Sequence, residues 1–194
     1  MIKLHFNVLG LLVLVSMSTS LHAVAGKAVD SLYHDYVVTA GGDTVKGKVL
    51  KLRTAAVKID PLSTAQPVLY KFEQVKEICR DGVTYDPVIS LTGAHKHVFA
   101  QRVLHGRIDL FVHVIPVKNG EMVAYYAGKA GNAPVEVESS NVWPNGFASK
   151  SVRRNNLLSL ISDDEESARE LAAKKNYNSD DLVGLIARYN SHAR

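Results

Sequence analysis

Cysteine is nearly absent: Cys79 is the only one in 194 residues. A lone cysteine closes no internal disulfide, so the fold has to rest on its hydrophobic core. Within Glu77, Ile78 and Cys79 it reads as a small buried residue on a strand, and no nucleophile turn surrounds it that would make it catalytic. Nor do the basic residues form a stripe with interleaved aromatics. The formal charge of +4 then implies solubility and weak attraction to anionic surfaces rather than nucleic-acid binding. A phosphate loop is incomplete as well. Gly42, Gly47 and Lys48 have its spacing, but Val49 stands where a Ser or Thr would bind magnesium. The residues VKGKVLKLR alternate with period two, which is a strand and not the helix start that cradles a phosphate. This stretch is read as a hairpin, residues 36–39 pairing with 44–52 around Gly41, Gly42 and Asp43.

One apolar run stands out, residues 8–15 (VLGLLVLV), behind the positive charge of Lys3. It is far short of the roughly 20 apolar residues that cross a bilayer. Ala23, Val24 and Ala25 follow with the small-x-small pattern that signal peptidase accepts. Residues 1–25 are therefore expected to be a signal peptide, and the mature chain to be exported, periplasmic or extracellular, with no transmembrane segment.

Residues 26–147 read as strand after strand. The stretches 57–59, 67–72, 97–104 and 108–115 are rich in β-branched and aromatic residues. Turn signals separate them: Asp60 and Pro61, Asp81 and Gly82, His105 and Gly106, Asn119 and Gly120. No crossover helix fits between such strands, so the expected sheet is an antiparallel meander forming a roll, barrel or sandwich. A three-residue loop 104–106 with Gly106 left-handed would pair 97–104 with 108–115. It would set Val98 and Ala100 on one face with Ile108 and Leu110. Residues 135–139 (VEVES) supply a last alternating strand.

Beyond Trp143 and Phe147, which flank a Pro-Asn-Gly turn, the period becomes helical over residues 148–194. Val152, Leu157, Leu160 and Ile161 mark a first helix; Ser162 and Glu165 form a capping box for a second, with Ala168, Leu171 and Ala172 inward. Asn178 or Ser179 caps a third, carrying Leu182, Leu185, Ile186 and Tyr189 on one stripe. These helices are too short to fold alone and are expected to pack on the sheet, giving a mainly β protein with a C-terminal helical part.

Among chemistry-bearing residues, the histidines form the most suggestive group. His95 and His97 would share one strand face, and the hairpin register above would set His97 across from His113, so three imidazoles could approach as zinc ligands. Surface histidines on a strand give the same pattern, and no fourth ligand has a suitable spacing. Glu136 and Glu138 read as an exposed strand face rather than a carboxylate pair. Lys150, Arg153 and Arg154 read as a solvated helix face, and Tyr125 and Tyr126 as one surface and one core ring.

Tyr36, Val37, Val38, Thr39, Gly42, Asp43, Thr44, Gly47, Lys48 and Val49 give an opening that resembles a family of uncharacterised exported proteins of Bacteroidota. Leu182, Ile186, Tyr189 and Asn190 resemble its helical end. The resemblance implies an exported, β-rich chain with a helical tail; it carries no activity and no site residue. The expected function is that of an exported, non-catalytic binding or structural module of the cell envelope, its partner an envelope protein or a small ligand, with no cofactor. The alternative is a metal-dependent hydrolase built on His95, His97 and His113.

Overall fold

A computed structural model describes residues 34–89, 96–118, 120–140 and 148–192. Its strands are β1 (Tyr36–Thr39), β2 (Thr44–Arg53), β3 (Ala56–Pro61), β4 (Val68–Lys71), β5 (Val75–Arg80), β6 (Val83–Ile89), β7 (His97–Leu104), β8 (Ile108–Val117), β9 (Gly120–Lys129) and β10 (Val135–Ser139). Three helices follow: α1 (Lys150–Ile161), α2 (Glu165–Ala173) and α3 (Ser179–Ser191). The strands form one antiparallel sheet in the order β10-β9-β8-β7-β6-β5-β1-β2-β3-β4. The mainly β architecture with C-terminal helices is the one the patterning implies. The sheet is open, ending at β10 and β4, so the barrel among the expected forms is not made. Among the described residues no helix is long and apolar enough to cross a membrane.

The hairpin β1–β2 forms as expected, Val37 pairing with Val45. At Gly47 strand β2 leaves β1 for β3, and a Cβ at that position would stand 2.1 Å from the Asp60 carbonyl oxygen. Only a glycine permits so close a crossing. Beyond it β2, β3 and β4 fold over the sheet, burying Val49, Val57 and Ile59 against Val37, Ile78 and Phe99. Asp35 holds the fold at its root, accepting the amides of Val49 (3.0 Å) and Asp81 (2.7 Å).

The helices cover the other end of the same sheet face. Leu157, Ile161, Leu171, Leu182, Leu185, Ile186 and Tyr189 pack on Ile108, Leu110, Ala127 and Val137. Ser149 caps α1 and Asn178 caps α3 in a box with Asp181. The cap of α2 is Asp164, not Ser162: its carboxylate accepts from the Glu166 amide and the Ser167 hydroxyl. An aspartate two residues nearer the helix, directly before its first residue Glu165, is the better-placed acceptor. Val152 is 47% exposed and stays outside the core.

Two polar readings of the sequence are overturned here. Glu136 is buried rather than on a solvated face, and so is Arg153. The Arg153 guanidinium donates to the Ser139 hydroxyl and the Ala148 carbonyl, both at 2.7 Å, and lies 3.7 Å from Glu136 and 3.9 Å from Glu138. Asn156 donates to the Glu136 carbonyl, and the Tyr177 hydroxyl to that of Val137. Burial pushes the Tyr177 hydroxyl up to about 12. Asn156 of α1 and Tyr177 of the α2–α3 connection thus satisfy the outer edge of β10, which would otherwise invite pairing with another chain.

The opposite sheet face carries its own stitch across β1, β5, β6 and β7. Arg102 binds Asp86 through two nitrogens and Glu77 at 3.0 Å, while the Tyr36 hydroxyl donates to Glu77 at 2.8 Å. The bond to Glu77 raises the Tyr36 hydroxyl to about 12. Beside it lie Val88, Val98, Ala100, Phe111, Ala124 and Tyr126, all buried.

Candidate functional site

The β7–β8 hairpin does not take the register that a three-residue loop would give. A bulge falls between Arg102 and Leu104, so Leu104 pairs with Leu110 but Gln101 pairs with Val112. The extra residue moves every position beyond it to the other face. Val98 and Ala100 therefore join Phe111 instead of Ile108 and Leu110. Gly106 is not among the residues with positive φ.

Beyond Gln101 and Val112 the two strands part. Residues 97–100 pair with β6 alone, and residues 113–117 with β9 alone. The turn between β2 and β3 reaches into the opening: the Thr54 carbonyl accepts the Phe99 amide at 3.2 Å, and the Ala55 carbonyl accepts that of Phe72 at 3.0 Å. Pro116 removes one donor from β8 at this point, which weakens any ladder there. The result is a cleft of ≈ 330 Å³ lined by Leu52, Arg53, Thr54, Phe99 and the β8 segment His113, Val114, Ile115 and Pro116. Its walls are mostly apolar, and its polar groups are a hydroxyl, a guanidinium and an imidazole. No acid lines it.

The predicted histidine cluster fares differently. His95 lies outside the described residues. His97 stacks on Phe72, ring centroids 4.5 Å apart, and sets Nδ1 3.4 Å from a Glu73 oxygen. His113 lies on β8 in the cleft wall. Continuing the register of Gln101 with Val112 would put Ala100, not His97, level with His113, and by strand alternation the two imidazoles leave opposite faces. The bulge is the physical reason. Among the described residues no group of three His, Cys, Asp or Glu is placed to hold a metal ion. Cys79 is buried on β5, and burial pushes its thiol up, away from the thiolate that nucleophilic attack requires.

A larger hollow of ≈ 700 Å³ lies at the helical end, lined by Arg107, Asp163, Asp164, Glu165, Glu166, Arg169 and His192. Its key groups are already matched to one another. Asp163 accepts from the Tyr189 hydroxyl (2.8 Å) and lies 3.0 Å from both Arg107 and Lys129. Asp164 caps α2 and meets His192 at 2.9 Å. Arg107 also lies over the Tyr189 ring, 4.4 Å from its centroid. This set ties α3 to Arg107 just before β8, to Lys129 at the end of β9 and to the α1–α2 turn.

Sequence reasoning passed over the cleft. Its residues come from two hairpins some 60 positions apart, Leu52 to Thr54 and His113 to Pro116, and the parting of β7 from β8 depends on a bulge that no local signal marked. What the fold and cleft define is an open antiparallel β-sheet, covered at both ends of one face, with a small recess between two of its strands. No family model, curated protein or solved structure matches the chain.

Proposed function

We propose that this chain is an exported, non-catalytic binding module of the cell envelope whose cleft takes a small ligand with an apolar body and an anionic or acceptor end. The observation that carries the reading is the parted ladder: a turn from a distant hairpin holds two strands of a continuous sheet apart, leaving a preformed recess. Its volume of ≈ 330 Å³ falls at the lower end of the range for small-molecule sites, about 300–1,000 Å³. Leu52, Phe99, Val114, Ile115 and Pro116 suit an apolar body, while Arg53 and Thr54 are donors suited to a carboxylate. Support for export comes from Lys3, the apolar residues 8–15 and the Ala23–Val24–Ala25 pattern, and from the resemblance of residues 36–49 to exported proteins.

Thermal melts in the presence of straight-chain carboxylates of four to eight carbons, beside the alcohols of equal length, test the cleft. The expected result is a rise in Tm with carboxylate concentration that the alcohols do not match. Equal or absent shifts for both series would overturn this ligand class. The mass of the protein recovered from its cell decides export: loss of about 25 residues supports it, and the full-length chain in the cytosol contradicts it.

A further inference from the structure

The outer face of the folded-over strands β2, β3 and β4 gathers charge of one sign. Lys46, Lys48, Lys51, Lys58 and Lys71 are all exposed on it, because Gly47, Val49, Val57 and Ile59 take the alternate, buried positions. Register brings the lysines together: Lys51 pairs directly with Lys58, Lys58 with Leu69, and Ala56 with Lys71. Asp60, opposite Lys48, is the one acid at a paired position there. With Arg53, exposed and paired with Ala56 in the row that ends at Lys71, the face carries 6 − 1 = +5, against a formal net charge of +4 for the whole 194-residue chain. Among the described residues none of the five lysines is ion-paired.

Like charges directly opposite one another on a sheet destabilise it. Lys51 across from Lys58 therefore costs the fold something and returns nothing to it, which is the mark of a device kept for another purpose. Two leucines stand among the lysines, Leu50 at 42% exposure and Leu69 at 58%, with Leu62 at 37% near Lys46. Tyr70 turns inward to the core, so the face offers no ring on which a base could stack. Lysine heads on flexible stems around exposed leucines match a lipid interface, where cations meet phosphate headgroups and apolar tips enter the acyl boundary.

We propose that this face docks the protein onto an anionic lipid bilayer surface, the lysines 46, 48, 51, 58 and 71 meeting headgroup phosphates and Leu50 and Leu69 inserting at shallow depth. The proposal does not depend on the cleft, which opens at the far tip of the same hairpin and can be empty or full without altering it.

Co-sedimentation of the full chain with vesicles of phosphatidylglycerol and phosphatidylcholine, beside vesicles of phosphatidylcholine alone, tests it at low and high salt. Anionic vesicles should bind the chain, neutral ones should bind it far less, and binding should fall as salt rises. Each surface lysine contributes about a fivefold factor to such partitioning, so K51E/K58E should weaken it at least tenfold. Leu69→Ser should weaken it without changing the salt dependence. Lys175→Glu, an exposed charge on the helical side, should change little. These variants all keep residues 1–33, so any contribution of the apolar run 8–15 is common to them. Circular dichroism confirms that each has folded, and the salt dependence of the unaltered chain stands as a test even where one has not. Equal binding to both vesicle types, an equal loss in K175E, or binding to a single-stranded oligonucleotide in place of vesicles would overturn the proposal.

Discussion

Asn190 and Gly106 occupy complementary space: a Cβ on Gly106 would lie 2.5 Å from the Asn190 carboxamide. That carboxamide bonds the Ile108 backbone twice, accepting its amide and donating to its carbonyl, each at 2.9 Å. The end of α3 thereby continues the ladder of β8 as a strand would. Gly106→Ala should cost about 1–3 kcal/mol through overpacking, and Asn190→Ala about 1–2 kcal/mol through two partly buried backbone groups left unmatched. In the double variant the added methyl meets no carboxamide, so the combined loss should fall well short of the sum. A double-mutant cycle by urea unfolding measures this coupling.

Arg153 is the buried counter-charge to Glu136 and Glu138. Arg153→Ala should destabilise by about 3–5 kcal/mol, because it strands carboxylate charge in a water-poor site. R153A combined with E136Q should recover part of that loss. Urea midpoints at constant m-value report both.

Asp163 sets a pH dependence. Hydrogen bonds from Lys129 and then from Tyr189 hold its carboxyl down at about 2. A depressed carboxyl stabilises the fold above its ordinary value near 4 and loses that contribution as pH falls from there through about 2. Its side chain is 47% exposed, so solvent screening limits the effect to roughly 1 kcal/mol. Asp163→Asn should therefore be less stable than the unaltered chain at pH 7, with the gap closing as pH falls from about 4 to below about 2 and narrowing in high salt.

The order of elements was legible because periodicity is local. Residues 97–104 were read with the bounds that β7 shows, and 135–139 with those of β10. Strand β6 was not marked, since Asp86 and Pro87 interrupt its alternation. Asp86 is explained only by Arg102, 16 residues away. The same limit hid Arg153 and Glu136, whose polar types say surface until the topology makes them partners. Likewise VKGKVLKLR showed that lysines alternate along β2, but not that Lys58 of β3 would lie across from Lys51. A bulge after Arg102 reversed the faces of residues 97–101 and with them the meeting of His97 and His113.

The Phe99 amide gives a direct view of the turn that holds the cleft open. Its partner is the Thr54 carbonyl, so it should exchange slowly with solvent although β8 has left its side. Lengthening the 54–55 turn by two glycines should speed that exchange at least tenfold, while leaving the Leu110 amide in the helical core unchanged. Hydrogen exchange followed by NMR reads both positions.

The central claim is that the parted ladder is a ligand site, and a ¹H–¹⁵N NMR titration with hexanoate tests it most directly. The account predicts saturable shifts confined to the amides of Leu52, Arg53, Thr54, Phe99, His113, Val114 and Ile115, with hexanol producing smaller ones. Shifts scattered over the surface, or centred on Arg107 and His192 at the helical end, would contradict it.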